Sequence, residues 1–347
     1  MIYRLNQDLS ITEYEDRWIE YPLCKYIPDN SLVIPNGVID PNNAYYGVPD
    51  GSLLDQINNF KNISYVIFDD SGNPINSDDR INKISYAGIQ HPVIILSSLF
   101  KYFNNPHQDQ RIKFFPFWAV WSSDPYNINY RILVHQDFSS HPKRYKLSCL
   151  NGTPWNHRLL NYLYLSKKPY FKDILFSFGH RGQPADLMND LILTQDELND
   201  IALLPKNVTA IDQDAVSGID VTCSHPAYLY TYVNLVTETN IRTSTPMLSE
   251  KSFKPIIVGQ LFVLIAAPGA VQFLRDIGVD TFDDIIDHGY DNELDHRIRI
   301  QKALAQVDQL MSKDLEKIYK TIYSRLKHNS EYLRSQEFRN QFLVKFD

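Results

Sequence analysis

Glu238, Glu250 and Lys251 stand between a short apolar run and a helix start in the segment 234–259, which reads NLVTETNIRTSTPMLSEKSFKPIIVG. The apolar residues before Glu238 are rich in β-branched side chains and predict a buried strand. Ser249 is a suitable N-cap, and apolar residues recur at helical spacing after it. A helix that begins where a strand of an open α/β sheet ends presents free N–H groups and a positive dipole end to ligands. With Lys251 at the same place, the segment predicts a phosphate-binding site.

A second junction of the same kind lies earlier in the chain. The segment YKLSCLNG predicts a strand, and HRLLNYLYL predicts an amphipathic helix with Arg158 in its first turn. Strands and helices continue to alternate over 145–311, which is typical of a doubly wound α/β domain. We therefore expect both junctions to belong to one sheet.

The residues before and after this region predict two further parts. Over 1–144, short apolar runs such as SYVIFDD and PVIIL alternate with turn-rich stretches and predict an N-terminal α/β domain with a largely parallel sheet. Residues 312–347 are charged and predict a C-terminal helical tail. The expected architecture is thus α/β, with two domains and a tail.

Composition excludes several classes of function. The formal net charge of −7 argues against a nucleic-acid-binding surface. Three cysteines without paired spacing indicate reduced thiols. No signal-peptide pattern is present, and the longest apolar run is too short to span a bilayer, so we expect a cytoplasmic protein without a transmembrane segment. The 13 glycines form neither a P-loop nor a GxGxxG turn, which disfavours ATPases and nicotinamide oxidoreductases.

Two segments together resemble the fucosyltransferase-like glycosyltransferases of the GT-B fold, including bacterial and viral enzymes that build O-antigens and other surface glycans. One is KLSCLNGTPWNHRLLNYL, which is similar to the family's strand, Asn-containing loop and Arg-bearing helix. The other is NLVTETN with LSEKSFKPIIVGQLFVLIAAPG, followed by FLRDIGVDTFDDIIDHGYDNELDHRIR. The resemblance covers roughly 145–311 and implies two Rossmann-like domains that face a central cleft.

The resemblance also implies roles for individual residues. Arg158 and Lys251 would grip the diphosphate of a nucleotide-sugar donor. Glu250 would contact the ribose or orient the lysine, and Glu238 with Asn240 would line the sugar end. Independently, glycosyl transfer develops negative charge on the departing diphosphate, which fixed cations and a helix N-terminus stabilise without a metal cofactor.

Two further residues complete the expected donor site. Asn151 belongs to the Asn-containing loop that the resemblance identifies. Lys254 lies one helical turn after Glu250 and is either a helix-face charge or a second phosphate contact.

Metal binding is the alternative that the sequence leaves open. Asp212 and Asp214 have the DxD spacing by which some transferases hold Mg²⁺ or Mn²⁺ on a diphosphate, although such spacing is common by chance. Asp291, Glu293 and Asp295 cluster before His296, but acidic residues at that position usually form a helix N-terminus.

An inverting transferase also needs a general base, which the N-terminal domain of a GT-B enzyme supplies. Asp70 and Asp124 follow predicted strands and are the first candidates, because carboxylates at the carboxyl end of a strand point into the cleft. Asp69, His91 and His135 remain alternatives.

The sequence thus predicts a metal-independent glycosyltransferase of the inverting type that moves a sugar from a nucleotide-diphosphate donor to a glycan acceptor in surface polysaccharide biosynthesis. One alternative is a phage enzyme that glycosylates DNA, which the acidic net charge disfavours. The other is a non-catalytic sugar-nucleotide-binding module of the same fold.

Overall fold

The structure is a computed structural model of the 347-residue chain. It describes residues 2–5, 11–13, 31–34, 55, 57–60, 64–70, 89–97, 111–116, 142–151, 155–178, 193–204, 226–239, 241–242 and 246–341.

The chain divides into two compact units. The first comprises Met1–Asp124 with Arg339–Asp347, and the second comprises Pro125–Phe338. The sequence predicts a boundary after residue 144 and a separate tail over 312–347. In the structure, residues 312–338 belong to the second unit.

The first unit contains a six-stranded sheet with the order β2-β1-β3-β4-β5-β6. β1 and β2 are antiparallel, and every other neighbouring pair is parallel. The parallel strands lie side by side in chain order, so the described strands of this sheet show no reversal of order. The strands are β1 (Ile2–Leu5), β2 (Ile11–Glu13), β3 (Ser31–Ile34), β4 (Tyr65–Asp70), β5 (Val93–Ser97) and β6 (Ile112–Pro116).

The second unit contains a four-stranded parallel sheet with the order β10-β9-β7-β8. The chain starts in the middle at β7, adds β8 on one side, and then crosses to the other side for β9 and β10. Such a reversal is the topological switch point of a doubly wound sheet, and here it lies between β7 and β9. The strands are β7 (Tyr145–Asn151), β8 (Ile174–Phe178), β9 (Thr231–Thr237) and β10 (Leu261–Ile265).

Parallel sheets with strands at the predicted apolar runs confirm the α/β class. All five residues of β10 are buried, as expected for a parallel strand covered on both faces. Helix α4 packs against α7, β9 and β10, and α6 packs against β10. The helices are α1 (Asn156–Ser166), α2 (Gln195–Ala202), α3 (Pro226–Leu229), α4 (Glu250–Ile257), α5 (Ala270–Asp276), α6 (His296–Met311), α7 (Leu315–Leu333) and α8 (Gln336–Asn340).

Helix α4 begins where the sequence predicts. Ser249 is its N-cap, and the Ser249 hydroxyl accepts a hydrogen bond from the Lys251 amide at 3.3 Å. This bond satisfies one of the amides that a helix start leaves without an intrahelical partner. Among the described residues, no helix is both long and apolar enough to cross a lipid bilayer.

The Cys149 thiol in β7 should be inert in the native protein. Burial raises its pKa to about 12, so the thiol stays protonated at neutral and mildly alkaline pH. We expect iodoacetamide at pH 8 to leave Cys149 unmodified in buffer and to alkylate it fully in guanidinium chloride. Mass spectrometry of the peptide that carries Cys149 measures both yields, and rapid alkylation in buffer would contradict the buried position.

Candidate functional site

The two junctions that the sequence singles out meet at the strand-order reversal of the second sheet. β7 pairs with β9 in a register that places Leu147 opposite Val233 and Ser148 opposite Asn234. Continued to the carboxyl ends, this register brings Asn151 and Thr237 side by side. The α1 and α4 junctions therefore share one edge of the sheet, at the place where open α/β proteins bind their ligands.

Polar side chains in the first two turns of α1 hydrogen-bond to the C-terminal end of β9. The Nε2–H of His157 donates to the Glu238 carbonyl at 2.9 Å. Arg158 Nη2 donates to the Thr237 carbonyl at 3.1 Å and to Thr239 Oγ1 at 3.4 Å. Asn161 Nδ2 donates to Thr237 Oγ1 at 3.1 Å. These bonds link the first junction to the second through the backbone of the strand exit.

The far end of α1 is also fixed. The Asp308 carboxylate of α6 accepts from Tyr164 at 2.5 Å, from Lys168 at 2.7 Å and from the Tyr170 hydroxyl. Charge-assisted hydrogen bonds of this kind are stronger than neutral ones. Helix α1 is thereby held at both ends, which fixes the position of Arg158.

Glu238 organises the start of α4. Its carboxylate is fully buried and accepts from the Ser249 amide at 2.8 Å, the Ser249 hydroxyl at 2.7 Å and the Ser252 hydroxyl at 2.5 Å. A negative charge at a helix N-terminus is stabilised by the helix dipole and by the N–H groups there. Both carboxylate oxygens of Glu238 are thus engaged by the first turn of α4, so the structure presents Glu238 as a residue that positions this helix.

Helix α4 carries a compact group of charges. Lys251 Nζ lies 2.5 Å from Glu250 Oε1, and the Lys251 side chain is 28% exposed, whereas Glu250 is buried. Burial alone would raise the pKa of Glu250, but the charges of Lys251 and Lys254, with hydrogen bonds from Lys251 and from the Glu250 amide, lower it below its ordinary value. The buried glutamate is therefore ionised at neutral pH.

The predicted donor residues differ in their access to solvent. Arg158 and Lys254 are each only 2% exposed, and Asn151 is also buried, with its Nδ2 3.3 Å from Cys149 Sγ. Lys251 is the most accessible of the predicted cations. Arg158, Lys251 and Lys254 against Glu238 and Glu250 give three positive and two negative side chains, which leaves one net positive charge at this edge of an acidic protein.

The remaining predicted site residues lie elsewhere. Asp70 is the last residue of β4, at a carboxyl end of the first sheet as the sequence predicts. Asp124, His135 and Asn240 lie outside the described residues, as do Asp212 and Asp214.

The acidic cluster before α6 forms the ends of secondary-structure elements, as the simpler interpretation of the sequence expected. Asp291 accepts from the Val271 and Gln272 amides at the start of α5. Asp295 is the N-cap of α6, and Glu293 binds Lys302 at 2.7 Å.

The sequence did not predict roles for His157, Asn161, Ser252 and Arg299. All four are buried at the exits of β9 and β10 or beside them. The position of His157 next to Arg158 was a usable signal, because adjacent residues in the first turn of a helix can both reach the end of a neighbouring strand. No local pattern distinguishes Arg299 from the other basic residues of its helix.

Fold and site together define an α/β protein with a positively charged helix start at the switch point of a parallel sheet. Comparisons of the chain with protein-family models, with curated proteins and with solved structures find no match, so its function is inferred from the sequence and the geometry.

Glu250 should make stability depend on pH in the acid range. Its folded-state pKa lies below the ordinary 4.5, so the stabilisation is present above that value and is lost as pH falls through the folded-state pKa. We expect Glu250→Gln to lower the free energy of unfolding at pH 7 by roughly 3 kcal/mol, because Lys251 and Lys254 lose a buried partner. The deficit should shrink as pH falls below 4.5 and through the folded-state pKa of Glu250.

Urea unfolding of both proteins across this pH range measures the deficit. Glu316→Gln is the matched control, because Glu316 forms an exposed pair with Lys320 and should matter by less than about 1 kcal/mol. A deficit for Glu250→Gln that does not change with pH would contradict the assignment of the charged form.

Proposed function

We propose that this protein is a metal-independent glycosyltransferase of the GT-B type, in which the second unit binds the nucleoside-diphosphate-sugar donor. The observation that carries the proposal is the arrangement at the switch point between β7 and β9. There, Glu238 anchors the N-terminus of α4 beside Lys251, and Arg158 reaches the same strand exit from α1.

The position of the site supports a nucleotide rather than another anion. In doubly wound sheets the crevice at the reversal of strand order opens between two adjacent strand-to-helix connections, and nucleotides bind across it. The start of α4 supplies the positive end of a helix dipole, and the charged side chains at the site give a net positive charge. The resemblance to fucosyltransferase-like enzymes covers the same two connections.

Lys251 is the residue that contacts the diphosphate in this proposal. Its side chain is 28% exposed, and its partner Glu250 is held in place by burial. When the donor binds, a phosphate oxygen competes with Glu250 for the ammonium group. As the sugar leaves, negative charge grows on the diphosphate, and the positive charge of Lys251 stabilises it most in the transition state.

In this proposal, Arg158 and Lys254 act on the donor through their charge and not by direct contact. Both are buried, and Arg158 Nη2 is engaged with the Thr237 carbonyl and Thr239. Their charges raise the local potential in a region of low dielectric constant, where electrostatic attraction is stronger than in water. Glu238 positions α4 in this proposal and does not contact the sugar.

The acceptor hydroxyl needs a base in the proposed reaction. A general base must remove the proton of the acceptor hydroxyl while the hydroxyl oxygen attacks the anomeric carbon, and the bond from that carbon to the diphosphate breaks. Asp70, at the carboxyl end of β4, and Asp124 are the candidates, and the acceptor is a glycan. Attack from the face opposite the diphosphate inverts the anomeric centre.

Replacing Lys251 should lower turnover more than it affects folding. We expect Lys251→Met to reduce kcat by about 10²–10³-fold, because the variant lacks the charge that stabilises the leaving diphosphate, and Lys251→Arg to recover part of the loss. Lys320→Met is the matched control, since the Lys320 side chain is 72% exposed on α7.

The measurement has two stages. A thermal-shift screen of nucleotide sugars first finds the donor, because a ligand that binds only the folded state raises the melting temperature. Sugar transfer to glycan and DNA acceptors is then followed with that donor. The proposal is wrong if no nucleotide sugar binds; binding without transfer indicates a non-catalytic module, and transfer to DNA indicates the phage alternative.

Chelation should leave the reaction rate unchanged. In this proposal, lysine and arginine charges together with the start of α4 neutralise the diphosphate, so EDTA has no ion to remove. Initial rates with EDTA and with added Mg²⁺ or Mn²⁺ give the comparison. A strict requirement for either ion would instead favour the Asp212 and Asp214 alternative.

A further inference from the structure

Arg299 of α6 is the largest of the fully buried side chains among the described residues. Its guanidinium donates only to backbone carbonyls: to Ala266 at 2.8 Å, to Leu294 at 3.4 Å, and to Glu293 and Ile241. Burying a cation is costly unless its donors are satisfied, and here several carbonyls satisfy them.

These carbonyls belong to three different connections of the second unit. Ile241 lies in the connection from β9 to α4, and Ala266 directly follows β10. Glu293 and Leu294 precede α6. One planar group with five N–H donors joins all three, which a lysine ammonium with three donors cannot reproduce.

The connection that contains Ile241 is also part of the candidate site. The carbonyls of Thr237, at the end of β9, and of Glu238, which begins the connection, accept from Arg158 and His157 of α1. Arg299 holds the same segment from α6 at Ile241. Between these supports, the Glu238 side chain sets the start of α4.

We propose that Arg299 is a positioning residue that fixes the exits of β9 and β10 and thereby places the N-terminus of α4 and Lys251 for a nucleoside diphosphate. The placement itself follows from the structure, and the diphosphate rests on the proposed function. Arg299 touches no reacting atom in this scheme; it acts through the Ile241 and Ala266 carbonyls, which follow β9 and β10.

Arg299→Lys tests this role, with Arg325→Lys as the matched control. Arg325 forms bidentate hydrogen bonds with Asp280 and with Asp284, so its replacement disturbs a multiply bonded guanidinium in a loop away from the ends of β9 and β10. Amide hydrogen exchange measures local opening, and titration with UDP and GDP measures binding. Both readouts are made on the full chain.

We expect Arg299→Lys to speed exchange at the amides of Ile241, Ser249 and Lys251 while the β7 amides keep their rates. The Kd of UDP or GDP should rise by about tenfold, because a shifted helix start misplaces Lys251. The control should show neither change. Faster exchange spread evenly over the unit, or exchange and Kd equal to the wild type, would overturn the proposal.

Failure of nucleotide binding and failure of the variant to fold have different consequences. If the wild type binds neither UDP nor GDP and no nucleotide sugar, the proposed function fails, and the exchange pattern alone decides whether Arg299 positions α4. If Arg299→Lys does not fold, exchange of the wild type at low urea decides. The proposal is supported if one free energy of opening describes exchange at the amides of Ile241, Ser249 and Ala267. Different opening free energies at these amides contradict it.

Discussion

The buried Glu238 carboxylate is the constraint on which the arrangement of this site depends. A fully buried carboxylate is tolerated only when hydrogen bonds satisfy it, and three donors from Ser249 and Ser252 do so. Those donors belong to the first turn of α4. The requirement to satisfy one charge at the end of β9 therefore determines where α4 begins and where Lys251 lies.

The surroundings of Glu238 extend this constraint to the neighbouring helices. His157 and Arg158 hold the strand exit from α1, whose opposite end is fixed to α6 by Asp308. Arg299 of α6 then holds the exits of β9 and β10. Two helices that are distant in sequence thus converge on one short segment, and their basic side chains satisfy carbonyls that β pairing leaves open there.

Much of the fold could be predicted from the sequence because its signals are local. Apolar runs with β-branched residues identified β4, β5 and β9, the segment YKLSCLNG identified β7, and Ser249 identified the start of α4. The convergence of the two junctions also followed, since strands of one parallel sheet place their carboxyl ends at the same edge. Local patterns and the family resemblance together pointed to Arg158, Glu238, Glu250 and Lys251, but not to His157, Asn161, Ser252 and Arg299.

The sequence by itself determined the α/β class, the position of the two strand-to-helix junctions and the charges they carry. Only the tertiary structure decided that Arg158 and Lys254 are buried while Lys251 is accessible. It also decided that the Glu238 carboxylate hydrogen-bonds to the start of α4. It also decided the strand order, which crossover connections set and no local pattern encodes. The physical reason is common to both: whether a charged side chain contacts solvent, a ligand or a backbone carbonyl depends on what packs around it, and those neighbours come from segments far away in the chain.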